Sequence, residues 1–204
     1  MKGHPMTTST ARRGRYAVAA LAAVAAIAAI LVALAQPGRP AARAFPRLHP
    51  AAAPAGWTRT TLPNGTAVLS YPPTLHPIAG DKGTVSAAQL GRGGTFQLYL
   101  NATPRQGAET LARWTAFRLR FLRADSAANA HLDAAAQRVR FRGGTGSCVI
   151  DDYTTRIGAH RFQEIACLVL GRHNGSVIVA AAPAASWAQT SSLLLRTVAA
   201  YQVR

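Results

Sequence analysis

Residues 146–170 read GSCVIDDYTTRIGAHRFQEIACLVL, two apolar β-prone runs at 146–156 and 162–170 joined through Ile157-Gly158-Ala159. Such a pair with a short glycine-containing connection predicts an antiparallel hairpin. If the turn centres between Ile157 and Gly158, Cys148 falls opposite Cys167 and Asp151 opposite Glu164. Moving the turn by one residue leaves each pair diagonal on the same face, where two cysteines lie beyond the separation of about 7 Å that a bridge tolerates. The first register predicts a disulfide, provided the compartment is oxidising. Without it the cysteines are two small buried hydrophobes.

The same hairpin concentrates Asp151, Asp152 and Glu164, three of the seven acids of the chain. Opposed carboxylates repel, so a metal, a shared proton or an arginine must compensate them. With 21 arginines against two lysines, an ion pair with Arg140, Arg142, Arg156 or Arg161 is the default expectation. Paired carboxylates without further ligands point only weakly to acid–base chemistry.

Working outward, strands are expected at 57–62 and 66–71 around Pro63-Asn64-Gly65, and at 84–90 and 95–102 around Gly91-Arg92-Gly93-Gly94. Further strands are expected at 137–141 and 176–182. Two segments carry helical period. Over 108–124, Leu111, Trp114, Phe117, Phe121 and Leu122 share one arc, with Arg118 inside it, where a lone charge is costly. Pairing with a hairpin acid is the favoured reading of Arg118, snorkelling at the sheet edge the other. After Ser186, an expected N-cap, Trp187, Leu194, Val198 and Tyr201 share a face. The result is an α+β domain over 57–204, an antiparallel sheet packed by two helices.

Residues 1–15 hold Lys2, Arg12, Arg13 and Arg15 and no acid, and residues 17–35 contain only Ala, Val, Leu and Ile. A run of that length reaches about 28 Å as a helix, close to a hydrocarbon core of about 30 Å. The basic flank predicts a cytoplasmic tail at 1–15, a single membrane-spanning segment at 16–35 and a domain outside the cytoplasm. Ala33-Leu34-Ala35 also matches a signal cleavage site, which would release the domain. The apolar run exceeds a signal core, which favours a retained anchor. Residues 36–56, rich in Pro and Ala, read as a semi-rigid linker.

The order of elements, with an early Trp57, Tyr71-Pro72 closing a strand, Ala182-Pro183 before Trp187, and Tyr201 near the end, resembles the Mog1/PsbP-like α/β/α sandwich. That resemblance implies a binding or assembly role without an active site, in exported or tethered bacterial domains.

The six histidines form no H-x-H, H-E-x-x-H or zinc spacing, and the glycine-rich stretches lack the residues of a phosphate loop. Ser147 lies in Gly-Thr-Gly-Ser-Cys, outside a nucleophile elbow. The expectation is therefore no catalytic residue, no metal and no cofactor. The formal charge is +16, and 16 basic residues against 7 acidic remain after the first 55. An anionic envelope polymer, lipid head groups or an acidic protein are the partners this implies beside the membrane itself, in preference to nucleic acid. The competing reading is an exported hydrolase or metal-dependent enzyme using Asp151, Asp152 and Glu164.

Overall fold

A computed structural model describes residue 45, residues 48–125 and residues 127–204. The expected anchor at 16–35, the basic tail and most of the linker lie outside the described residues. The described part is an α+β domain of antiparallel sheets and two helices. Strands β1 (Thr58–Thr61), β2 (Ala67–Tyr71), β3 (His76–Ile78), β4 (Val85–Leu90) and β5 (Phe96–Pro104) precede helix α1 (Trp114–Asp125). Strands β6 (Ala127–Phe141), β7 (Gly144–Thr155), β8 (Arg161–Leu170) and β9 (Gly175–Pro183) follow, then helix α2 (Trp187–Ala200) and the short β10 (Gln202–Val203).

Seven strands form one sheet in the order β3-β4-β5-β9-β8-β7-β6, and β1-β2-β10 form a second. All ladders between strands are antiparallel. Because side chains alternate along a strand, the large sheet has two distinct faces. One carries Cys148, Ile150, Ile165, Cys167, Ile178 and Ala180 against the small sheet and the α2 residues Trp187, Leu194 and Val198. The other carries Val149, Ala166, Leu168, Val177 and Val179 against Trp114 of α1. Helix, sheet, and helix with small sheet make three layers, with a core on each side of the large sheet.

Both helices differ in detail from their expected form. The first begins at Trp114 and not at 108, after a single 3-10 turn over Leu111–Arg113. Glu109 folds back to accept from the Gly107 N–H at 2.8 Å, and Thr110 accepts from the Arg113 N–H, so the chain before residue 111 is committed to a loop. The buried stripe of α1 runs through Trp114, Arg118 and Leu122, four residues apart. Phe121 is 42% exposed, contrary to its expected burial. Ser186 precedes α2, but its hydroxyl donates to the Pro183 carbonyl at 3.1 Å and caps no helical N–H. Tyr201 lies beyond the helix, buried, with its hydroxyl bonded to Ser176 Oγ at 2.8 Å.

Candidate functional site

The hairpin turn decides the geometry of the acidic cluster. Thr155 N–H donates to the His160 carbonyl at 2.9 Å, while the Thr155 hydroxyl donates to the Ile157 carbonyl and accepts from the His160 N–H. Gly158 takes a φ of 76°, which glycine adopts without the Cβ penalty. This closure centres the turn between Ile157 and Gly158, so Cys148 faces Cys167 and Asp151 faces Glu164. The two cysteines form a disulfide.

Period two then divides the three acids. Asp151 and Glu164 point toward α1, whereas Asp152 points to the opposite face beside Gln163. There Asp152 Oδ2 accepts from the guanidinium of Arg161 at 2.7 Å, near the surface. Asp152 therefore takes no part in the pair formed by Asp151 and Glu164. Gln163, on the same face as Asp152, donates to Asp133 at 2.6 Å.

Asp151 is fully buried and Glu164 is 1% exposed, under the middle of α1. Arg118, 9% exposed, reaches down from the helix and donates to Glu164 Oε1 through Nε at 2.9 Å and also through Nη2. Trp114, one turn earlier, donates from Nε1 to the Ala166 carbonyl at 3.0 Å, and Ser147 Oγ donates to the Leu111 carbonyl at 2.7 Å. These two bonds fix the height and rotation of α1 over the hairpin, which puts Arg118 above Glu164.

Among the described residues no donor reaches either oxygen of Asp151. A buried anion without donors is unstable, so the group keeps its proton. Burial, and next the neighbouring Glu164 charge, push the Asp151 carboxyl from 3.8 up to about 9, against the opposing pull of Arg118. At neutral pH Asp151 thus keeps its proton beside the Glu164 carboxyl that accepts from Arg118. Burial works against the Arg118 charge, but Glu164 and Asp151 outweigh it and tighten its hold on its proton. Tyr153, stacked on Phe162 with ring centres 6.2 Å apart, is pushed well above the ordinary tyrosine range by burial and then by Glu164.

Sequence reasoning did not single out Tyr153 or Asp133, and it placed Trp114 on the apolar arc of the first helix without its bond to the Ala166 carbonyl. Tyr153 could have been found, since it follows Asp151 by two residues and shares its face. Trp114 and Arg118 are one helical turn apart, but what they meet depends on the docking of helix on sheet. Of the four arginines expected to pair with the acids, only Arg161 does so. Arg156 instead donates to the Arg123 carbonyl at the end of α1.

Three surface cavities, of about 720, 530 and 270 Å³, lie elsewhere, and none is lined by Asp151, Glu164 or Arg118. Nor do three His, Cys, Asp or Glu side chains converge as a metal set among the described residues. The arrangement can store a proton and balance a charge, and its two carboxyl groups are closed to solvent.

No family model matches the chain, and no curated protein is significantly similar to it in sequence. Its fold is similar to that of cyanobacterial PsbP (CyanoP) from Synechocystis sp. PCC 6803, with a TM-score of 0.55 at 14% identity, over 74% of this chain and 94% of that one. A weaker similarity joins it to LpqN, involved in cell envelope biogenesis of Mycobacterium tuberculosis, with a TM-score of 0.47 at 11% identity, over 72% of this chain and 90% of that one. The domain has a PsbP-like fold.

Proposed function

We propose that this protein is a membrane-tethered, extracytoplasmic binding or assembly accessory whose working parts are on its surface. The observation that carries the reading is the closure of the acidic cluster. Asp151 and Glu164, the strongest candidates for chemistry in the chain, are buried beneath α1, matched by Arg118 and away from every cavity described. A catalytic carboxylate must meet its substrate, and these two are closed to solvent. What remains available is a cationic exterior suited to anionic polymer, head groups or an acidic protein. The disulfide supports an oxidising compartment, and the arginine-flanked apolar run at 17–35 supports the tether.

The test is fractionation of cells making the full chain, with thiol labelling of Cys148 and Cys167 before and after reduction. The expected protein stays with membranes through carbonate and high salt, is digested by protease added outside the cytoplasmic membrane, and labels only after reduction. A soluble mature form beginning at Gln36 would replace the anchor by a cleaved signal and keep the exported location. A cytosolic protein with two free thiols would overturn both. In detergent, the full chain should bind an anionic wall polymer with an affinity that falls as salt rises.

A further inference from the structure

Of the five large apolar side chains exposed among the described residues, four gather at one end of the large sheet. Ile157, 91% exposed, is on the turn between β7 and β8, and Leu90 and Phe96 flank the turn between β4 and β5. The two turns are neighbours, since Gly93, Gly94 and Phe96 line one cavity of about 530 Å³ together with Thr155, Ile157 and Phe162. Phe121 lies near the end of α1. Two residues on, the Arg123 carbonyl accepts at 2.5 Å from Nη2 of Arg156, the residue before Ile157.

Ile157 belongs to no core cluster, and its turn is closed without it by the Thr155 hydroxyl and Gly158. At the other turn the ladder slips, with Gln89 facing Leu98 and Leu90 facing Phe96. Strict alternation would put Phe96 and Tyr99 on opposite faces. The bulge instead brings their rings to 5.6 Å, on the side of the sheet that bears Glu164 and α1. Arginines surround these apolar groups: Arg92 on one turn, Arg156 on the other and Arg123 at the end of α1, all exposed. None of the three enters either ion pair found among the described residues. Against them in residues 88–97, 120–125 and 152–162 stands Asp125, since Asp152 is already paired with Arg161. A specific protein partner needs a continuous patch of about 800 Å² on each side. Apolar side chains on separate closed turns, ringed by unpaired arginines, suit instead a fluid apolar layer beneath an anionic surface.

We propose that this end of the domain docks on a bilayer surface containing anionic lipid, with Ile157, Leu90 and Phe96 entering below the head groups and Arg92, Arg123 and Arg156 at the phosphates. The proposal rests on the binding reading above and names lipid as the partner and the two turns as the face that meets it. The arginines select an anionic surface and lose their hold as salt rises, whereas burial of the apolar tips does not depend on charge.

The experiment moves the full chain from detergent into vesicles of equal parts phosphatidylglycerol and phosphatidylcholine, with bromine on the acyl chains as quencher. The emission added by Ile157→Trp should be quenched several-fold more than that added by His173→Trp, an exposed position beyond the far end of β8. In phosphatidylcholine alone, or with Arg92→Gln and Arg156→Gln together, that difference should shrink several-fold. Amide exchange of residues 92–96 should slow on transfer from detergent to the anionic vesicles. Ile157→Ser with Leu90→Ser, both at exposed positions, should abolish the slowing at an unchanged urea midpoint. Equal quenching at the two tryptophan positions, no quenching at Ile157→Trp, or equal quenching in both kinds of vesicle overturns the proposal. Self-association of the chain that Ile157→Ser abolishes would make a second copy the occupant and overturn it too. If the tip stays unquenched while salt-sensitive polymer binding persists, the lipid face alone is wrong. If both fail, the binding reading falls with it.

Discussion

The two faces of one hairpin solve the same burial problem in opposite ways. Toward α2, β7 and β8 present Cys148 with Cys167 and Ile150 with Ile165, a covalent bond beside an apolar pair. Toward α1, the same strands present Val149 with Ala166, then Asp151 with Glu164, then Tyr153 with Phe162, so two carboxyl groups are enclosed between apolar rows. The first face needs nothing from its helix except contact. The second depends on one guanidinium and one proton. A buried ion pair seldom adds net stability over apolar packing, but it makes the position of its partner element specific. On this comparison Arg118 adds an ion pair to a helix placement that Trp114 and Ser147 fix, and the disulfide adds a covalent bond to a register that the turn sets.

The largest effect should come from Arg118→Met at neutral pH. Trp114 and Leu122 still hold the helix, but Glu164 is left buried without its partner, a loss of about 3 to 5 kcal/mol. Urea unfolding measures it. Replacing Asp151 and Glu164 by Leu in the same variant should recover most of that loss, because the partner group is then no longer stranded. If Arg118→Met alone costs less than about 1 kcal/mol, the acid pair does not rely on the helix and the contrast between the faces fails.

The next effect is on the other face. Chain entropy assigns roughly 3 kcal/mol to a bridge closing a loop of this size, and the hairpin ladder already restrains the strands, so reduction should cost about 2 kcal/mol. Amide exchange on reduction should rise around Asp151 and Glu164 before it rises in either helix. Equal urea midpoints with and without reductant would show that register is held by the turn alone.

How much of this could be read from residues depends on where the determining contacts lie. The hairpin register was legible because its turn and its ladder are adjacent in the chain, and the cysteines and acids then follow by counting. Pairing of Arg118 with a hairpin acid was legible as a favoured reading from its place on an apolar arc, but choosing Glu164 requires the docking of α1. The first part of β6 was not legible. Its sequence AANAHLDAAA has none of the β-branched or aromatic residues that favour strands. It becomes an edge strand because β7 pairs with it, through three register shifts, with left-handed backbone at Asn129 and Arg138. β3 is three residues long and contains Pro77, admissible only because it lies at the opposite edge. Grouping Asp152 with Asp151 treated neighbours in sequence as neighbours in space, which a strand forbids.

The sharpest test of the stored proton is the pH dependence of Asp151→Asn. In the folded protein burial raises the Asp151 carboxyl to about 9 from 3.8, its ordinary value. Between those limits the unfolded chain gives up its proton and the folded one retains it. The unfolded state therefore binds fewer protons, and stability falls as pH rises, by at most about 1.4 kcal/mol per unit from this group. Below the lower limit its contribution is full, and above the upper one it is gone. Asparagine carries no such proton but can donate from Nδ2 to Glu164 in its place. The variant should therefore gain stability relative to the parent steadily as pH rises from 4 to 8, by up to about 1.4 kcal/mol per unit. Urea midpoints at several pH values read this directly. An Asp151→Asn curve parallel to the parent's would mean that Asp151 is ionised in the folded state, with compensation coming from a group other than its own proton.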